Sequence, residues 1–320
     1  MDAVVLAGGY ATRLWPITRH RPKMFLPIGE ETVIDIIFAE LEADARIDRV
    51  FVSTNARFAP PFEEFLDARP YEKPQLSVEQ TTDEDEKFGV IGALAQLVDR
   101  EGVADDLVVI AGDNLLSFAV GEFIDFFEAT DGPVIAAYDV GAPAAARPYG
   151  VIELDGTVVT AFTEKPEHPE SSLVSIACYG LPAATLELLP AYLGDGNNPD
   201  EPGWFIQWLQ AARTVEAFTF DGAWFDIGTP ESYLEAVAWY LDGEAYCSPG
   251  ATVTDSTLGP GTQVLGSATV TETTIDASVV FDGAEITGAT VVDSIVDEGA
   301  RLRGLRLDGA LVGAYSQIDG

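Results

Sequence analysis

The sequence predicts an α/β fold, a mostly parallel mixed sheet with helices on both faces, followed by a left-handed parallel β-helix. Two observations carry this. Through the first half, apolar and β-branched runs alternate with helical patterns, the signature of helices packed on a parallel sheet. From about Cys247 the charged helical patterns stop, and short β-branched segments recur with Gly, Thr, Ser and Asp between them. A third observation sets the scale: 320 residues, 47% of them hydrophobic, suffice for one large domain plus a smaller one.

The elements follow in order. Strands are expected at 3–6, 49–53, 75–78, 106–111 and 134–138, where apolar β-branched residues cluster. Between them, helices are expected at 33–43, 61–68, 92–99 and 121–129. Strands recur at 149–154, 157–162 and 173–180, then helices at 182–192 and 204–212, and a strand at 215–220. A helix at 231–241, opened by Pro230, closes the domain. This places the domains at 1–245 and 246–320. In the second, Val253, Leu258, Val264, Val270, Ile275, Val280 and Ile286 begin a series continuing to Val312 in steps of about five to six residues. That spacing fits hexapeptide repeats, each segment one face of a triangular coil, with about four coils. An ordinary β-meander would instead alternate strictly every second residue.

Charge narrows the function. Against 53 Asp+Glu stand 17 Lys+Arg, a net charge of -36, a poor surface for nucleic acid or anionic lipid. Such self-repulsion is relieved by salt, so a salt-rich, halophilic cytoplasm is expected. Cys178 and Cys247 belong to no C-x-x-C pair, which argues against a disulfide framework or zinc site. No apolar run is long enough for a signal peptide or a membrane span, so a cytoplasmic protein is expected.

The chemistry begins in the first turn, Leu6-Ala7-Gly8-Gly9-Tyr10-Ala11-Thr12-Arg13-Leu14-Trp15-Pro16, followed by Arg21-Pro22-Lys23-Met24. Paired glycines let backbone N–H groups approach a bulky anion, and Arg13 and Lys23 supply positive charge. The loop is neither a Walker motif nor a dinucleotide fingerprint, whose second glycine would stand at Tyr10. Farther on come Val108-Val109-Ile110-Ala111-Gly112-Asp113-Asn114, Phe162-Thr163-Glu164-Lys165-Pro166 and Trp224-Phe225-Asp226-Ile227-Gly228-Thr229-Pro230. Taken singly, each has a plainer reading. Gly8-Gly9 can be a bare strand-to-helix turn, Asp113 a helix cap, Glu164-Lys165 an exposed turn pair, and Asp226 the start of its own turn at Gly228.

Taken together, and in this order, these segments resemble the sugar-phosphate nucleotidyltransferases, or nucleotide-sugar pyrophosphorylases. That family opens G-G-x-G-T-R-L-x-P-x-T and continues with P-K, E-K-P and W-x-D-[IT]-G-T. Ala11 stands where the family has glycine; if that position needs positive φ, alanine costs about 1 kcal/mol. The resemblance implies a Rossmann-like nucleotidyltransferase domain joining a nucleoside triphosphate to a sugar-1-phosphate. It implies that Asp113 and Asp226 hold Mg²⁺, that Arg13 and Lys23 are catalytic, and that Leu6, Gly8, Gly9, Thr12 and Arg13 bind the nucleotide. It implies that Gln80 and Gly89 read the base, and that Asn114, Gly150, Glu164 and Lys165 bind the sugar phosphate. Gln80 and the E-K-P pattern favour glucose-1-phosphate with UTP or dTTP, although Phe88-Gly89-Val90-Ile91-Gly92-Ala93 departs from the commoner L-G-T-A-G-A.

N-acetylglucosamine-1-phosphate uridylyltransferase and mannose-1-phosphate guanylyltransferase are the alternatives within the class, and a non-catalytic nucleotide-sugar-binding paralogue the alternative outside it. Some family members carry an acetyltransferase on the β-helix, which uses a histidine base. Here the two histidines, His20 and His168, both precede the repeats. The repeats are therefore expected to serve assembly, as in a homo-oligomer, or regulation. The acidic run Asp83-Glu84-Asp85-Glu86 reads as a solvated loop or as part of a lid over the nucleotide.

Overall fold

The computed structural model describes residues 1–80 and 88–320; the acidic run 83–86 lies outside the described residues. The chain divides into two compact units, one of residues 1–8 and 37–224, the other of residues 9–36 and 225–320.

In chain order the regular elements to residue 240 are β1 (Asp2–Leu6), β2 (Pro27–Ile28), β3 (Glu31–Thr32), α1 (Val33–Ala43), β4 (Arg49–Asn55), α2 (Ala59–Asp67), β5 (Pro74–Glu79) and α3 (Val90–Glu101). Then come β6 (Leu107–Ala111), β7 (Asn114–Leu116), α4 (Val120–Glu128), β8 (Val134–Asp139), α5 (Pro143–Ala146), β9 (Gly150–Asp155), β10 (Val158–Glu164) and β11 (Leu173–Leu181). Last are α6 (Ala183–Leu186), α7 (Leu189–Gly194), α8 (Pro202–Gln210), β12 (Glu216–Thr219), β13 (Trp224–Asp226) and α9 (Pro230–Tyr240). The helix expected at 182–192 is broken into α6 and α7. Pro190, at the start of α7, has no N–H to continue the first ladder and its ring clashes with the carbonyl four residues back.

The first unit is built on a nine-stranded sheet of order β5-β4-β1-β6-β11-β8-β12-β10-β9. Pairing is parallel through β5, β4, β1 and β6 and between β8 and β12. It is antiparallel where β11 joins β6 and β8 and where β10 joins β12 and β9. The parallel half is the buried one: Ala3, Val4, Val5, Val50 and Val52 are inaccessible to solvent, as strands covered on both faces require. Val4, Phe51, Val109 and Ile135 from the sheet pack with Leu94 and Leu97 of α3 and Phe205 and Leu209 of α8, each such side chain contributing about 1.5–3 kcal/mol on burial. The carboxyl ends of β1, β4 and β6 thus finish side by side, where an open α/β sheet gathers its ligands.

The second unit carries three stacked parallel sheets, the arrangement of a left-handed β-helix. One holds Tyr246–Cys247, Gln263–Val264, Val279–Val280, Ile295–Val296 and Leu311–Val312. The second runs from Thr252–Thr254 to Gln317–Asp319 and the third from Thr257–Leu258 to Arg306–Asp308. Aliphatic residues stack inside in register, Val253 on Val270 on Ile286 on Leu302. Successive coils repeat after 17 residues and then after 16, so the later coils fall two residues short of three full hexapeptides. The corners explain the shortening. Ala277 and Asp293 adopt positive φ. The serine after each turns inward: Ser278 Oγ donates to Asp276 O and accepts from Ser294 N of the next coil, and Ser294 repeats the pattern toward Ala310 N. Among the described residues no helix is long and apolar enough to cross a membrane.

Candidate active site

The entry to the glycine turn is set by β1 and its neighbours. Ala7 N donates to Ser53 O at 2.8 Å, Asn55 Nδ2 to Gly8 O at 2.9 Å, and Gly112 N to Leu6 O at 2.9 Å. These bonds fix Leu6, Gly8 and the Gly112-Asp113 corner at the carboxyl ends of three parallel strands. Asp113 is half-buried and is followed by strand β7 rather than by a helix, so it caps none. Asn114 is buried; its Nδ2 lies 3.3 Å from Asp113 Oδ1, and Trp224 Nε1 donates to its Oδ1. Trp224 in turn meets the Tyr149 ring edge-on, centroids 4.9 Å apart. The W-x-D motif thereby holds the G-D-N motif through one indole hydrogen bond.

The E-K-P motif ends β10, and its two charged residues have opposite surroundings. Glu164 is 7% exposed, with its carboxylate wedged between two glycines. A Cβ on Gly203 would lie 1.7 Å from Glu164 Oε2, and one on Gly150 would lie 2.8 Å from it. Its backbone N–H donates to Gln207 Oε1 of α8 at 2.9 Å. Burial raises the Glu164 carboxyl to a pKa of about 7; the negative charge of Glu201 adds to the rise and Lys165 opposes it. Lys165 is exposed, and its Nζ pairs with Glu201 Oε1. Lys165 also sits at φ 47°, a left-handed conformation that costs a residue with a Cβ about 1–2 kcal/mol and that gathers at functional sites.

Sequence reasoning missed Glu201 and Gly203. Their signal, Glu201-Pro202-Gly203 opening α8, looks like an ordinary helix start.

On the base-reading side, Gln80 is exposed and Gly89 is buried. Gly89 precedes α3 at φ 75°, where a Cβ would fall 2.4 Å from Pro199 O. Ile91 N donates to Pro199 O and Val90 N to Asp200 O, so the loop before α8 caps α3.

In the second unit the opening loop continues. Gly9, Thr12 and Arg13 are exposed, and Lys23 is half-buried at the start of a 3₁₀ turn. Ala11 adopts φ 49°, ψ 44°, which answers the question its identity raised: the position needs the left-handed conformation, and alanine is strained there. Thr18 Oγ1 secures it by donating to Ala11 O at 2.8 Å. Arg13 lies against the W-x-D-I-G-T segment: a Cβ on Gly228 would stand 3.1 Å from Arg13 Nη2 and 3.6 Å from Asp226 Oδ1. Asp226 is half-buried, and its carbonyl accepts from Gly228 N at 2.9 Å. Thr229 then caps α9 through a reciprocal box with Ser232.

The chemistry of the two aspartates suits a hard divalent cation, since both offer carboxylate oxygens at strand ends without full burial. The first unit also carries Lys165 beside the buried Glu164 carboxylate, and the second carries Arg13 and Lys23.

The chain is similar to several known proteins. The low-salt glycan biosynthesis nucleotidyltransferase of Haloferax volcanii is 27% identical over 275 residues, 84% of this chain and 74% of that protein. A putative mannose-1-phosphate guanyltransferase of Sulfolobus acidocaldarius is 28% identical over 236 residues, 73% of this chain, and the match spans 61% of that relative's length. The mannose-1-phosphate guanylyltransferase of Mycobacterium tuberculosis is 27% identical over 301 residues, 88% of this chain and 80% of its own. A crystal structure of a putative glucose-1-phosphate thymidylyltransferase from Bacillus anthracis shares the fold, with a TM-score of 0.65, 23% identity, and coverage of 76% of this chain and 96% of its own. The nucleotidyl transferase family model matches residues 2–243, which takes in the glycine loop, both aspartates and the E-K-P motif. By that match the chain belongs to the nucleotidyl transferase family.

Proposed function

We propose that the chain joins a hexose-1-phosphate to a nucleoside triphosphate, forming a nucleotide-activated sugar and pyrophosphate. An oxygen of the sugar phosphate attacks the α-phosphorus; the bond from that phosphorus to the bridging oxygen breaks, and pyrophosphate leaves with the electron pair. Attacker, target and leaving group are all anions, so the work is alignment and charge neutralisation, with no covalent nucleophile or general base. Arg13 holds the β- and γ-phosphates, Lys23 meets charge developing at the reacting phosphate, and Lys165 fixes the phosphate of the incoming sugar. Glu164 accepts hydrogen bonds from sugar hydroxyls, with Asn114 and the Gly150 backbone also serving the sugar. Asp113 and Asp226 would hold Mg²⁺, which would supply Lewis-acid neutralisation of phosphate charge.

The observation that carries this reading is the seating of Glu164 and Lys165. A carboxylate pressed between Gly150 and Gly203, beside a lysine held in the left-handed region, is a costly arrangement that a plain turn does not need.

Gln80 favours a pyrimidine triphosphate, UTP or dTTP, with glucose-1-phosphate. A second reading, mannose-1-phosphate with GTP, is favoured by the names of the Sulfolobus and Mycobacterium relatives. Pyrophosphate release from a panel of sugar-1-phosphates and nucleoside triphosphates, in molar KCl with Mg²⁺, separates them; turnover of no pair refutes the reaction class and favours a non-catalytic nucleotide-sugar binder. The net charge of -36 fits a salt-rich cytoplasm, and assembly through the β-helix predicts more than one full-length chain per particle by light scattering, a monomer refuting it.

A further inference from the structure

We propose that the β-helix is a positioning element of the triphosphate site, with Asp297 and Gln263 holding the 9–36 segment so that Arg13 and Lys23 are presented in fixed places. The inference rests on the nucleotidyltransferase reading for what those two residues do, and on contacts inside the second unit for how they are held.

The contacts climb one column of the β-helix. Leu265, Phe281, Asp297 and Gly313 each follow a strand of the same sheet, one coil above the other. In the second coil, buried Gln263 accepts from Gly29 N at 3.0 Å, while its Nε2 donates to Pro27 O at 2.9 Å and lies 3.2 Å from Tyr233 Oη. Tyr233, on α9, donates its own hydroxyl proton to Pro27 O at 2.6 Å. In the third coil the Phe281 ring lies under the Arg21 guanidinium, 4.9 Å from its centroid. In the fourth, Asp297 Oδ1 takes Arg21 Nη2 at 2.7 Å, with 3% of the Asp297 side chain exposed. In the fifth, Pro16 packs on Gly313, where a Cβ would stand 3.1 Å from Pro16 Cγ. Arg13 lies three residues before Pro16, and Lys23 two residues after Arg21 across Pro22, whose ring limits φ.

Stability alone does not call for this column. An apolar residue at 297, like Leu265 and Phe281 below it, would pack without the desolvation that a buried ion pair carries. What the pair adds is geometry: a guanidinium fork has one good approach to a carboxylate, and it fixes the chain two residues from Lys23. The triphosphate site is where such accuracy counts, since a misplacement of about 1 Å costs on the order of 10²-fold in rate.

The test uses the full chain carrying Asp297→Asn or Gly313→Ala. The alanine adds one methyl facing Pro16, at a coil position without positive φ. Expected for Asp297→Asn is a fall of at least about tenfold in kcat/KM for the nucleoside triphosphate, with KM for the sugar-1-phosphate within about twofold of wild type. Amide hydrogen exchange should quicken in residues 9–36 while the coils keep their protection. Gly313→Ala should move both readouts the same way by a smaller factor, and it decides the matter if Asp297→Asn does not fold. Unchanged exchange in 9–36, or equal losses for both substrates, overturns the proposal. If wild type transfers no nucleotide to any sugar phosphate, the functional reading fails, and the exchange measurement alone decides whether the column holds the segment.

Discussion

Glu164→Gln should make the protein more stable and less active, by amounts that depend on pH. The carboxyl ionises at 4.5 in the unfolded chain and at about 7 in place. Between those values the folded protein keeps a proton that the unfolded chain has released. Stability therefore falls as pH rises from about 4.5 through about 7, and levels off above. At about 1.4 kcal/mol per pH unit, the penalty at pH 8 reaches at most about 3 kcal/mol. Glutamine has nearly the same shape and no charge to desolvate. The variant should then exceed wild type by up to about 3 kcal/mol at pH 8, and by little near pH 4.5. Urea unfolding at fixed KCl across pH 5–8 reads the difference. In the same variant one acceptor oxygen becomes an amide donor, so KM for the sugar-1-phosphate should rise at least about tenfold while the triphosphate KM holds. A stability difference equal at pH 5 and pH 8 would refute the claim that a buried charge is carried here for function.

Four further outcomes follow from the same geometry. Asp113→Asn should cut product formation by at least about 10²-fold with an unchanged circular dichroism spectrum; an active variant removes Asp113 from the metal site. Lys165→Ala should raise KM for the sugar-1-phosphate at least about tenfold yet shift stability by under about 0.5 kcal/mol at about pH 5, where Glu164 keeps its proton and the pair with Glu201 is solvent-exposed; an effect confined to the triphosphate KM would reverse the roles. Ala11→Gly should relieve about 1 kcal/mol of left-handed strain while freeing the unfolded chain by about 0.4–1 kcal/mol, a net gain below about 1 kcal/mol by urea unfolding; a net loss above that would mean the loop depends on the methyl group. Thermal unfolding should move upward from dilute buffer to molar KCl as the net charge of -36 is screened; highest stability in dilute buffer would dismiss a halophilic setting.

Elements whose pattern repeats were legible in advance. Val108-Val109-Ile110 could hardly be anything but a buried strand, and the run from Val253 to Val312 announced its coils through spacing alone. The coil length of 16 was less legible, because it depends on left-handed corners at Ala277 and Asp293; aspartate visits positive φ more often than most residues, but alanine does not. The two-residue strands β2 and β3 are too short to show a period, and Pro190 cut a helix whose apolar spacing ran straight across it. In the candidate site, residues within short motifs stood out: Arg13, Lys23, Asp113, Glu164, Lys165 and Asp226. Those that act from a distance did not. Asp297 and Gln263 look like ordinary coil residues until Arg21, 276 positions away along the chain, is seen to meet Asp297.

The same distinction explains why residues 199–203 bear on both ends of the candidate site. Pro199 and Asp200 give their carbonyls to the first amides of α3, and Gly89 fits only because it has no Cβ to strike Pro199 O. One residue on, Glu201 holds Lys165, and Gly203 leaves space for the Glu164 carboxylate. Five consecutive residues thus join the turn assigned to the base with the pair assigned to the sugar phosphate. Pro202 and the helix behind it limit how far one end of the stretch can move without the other. If the sugar phosphate binds Lys165 as proposed and draws it away from Glu201, the pull would fall on the loop whose carbonyls cap α3.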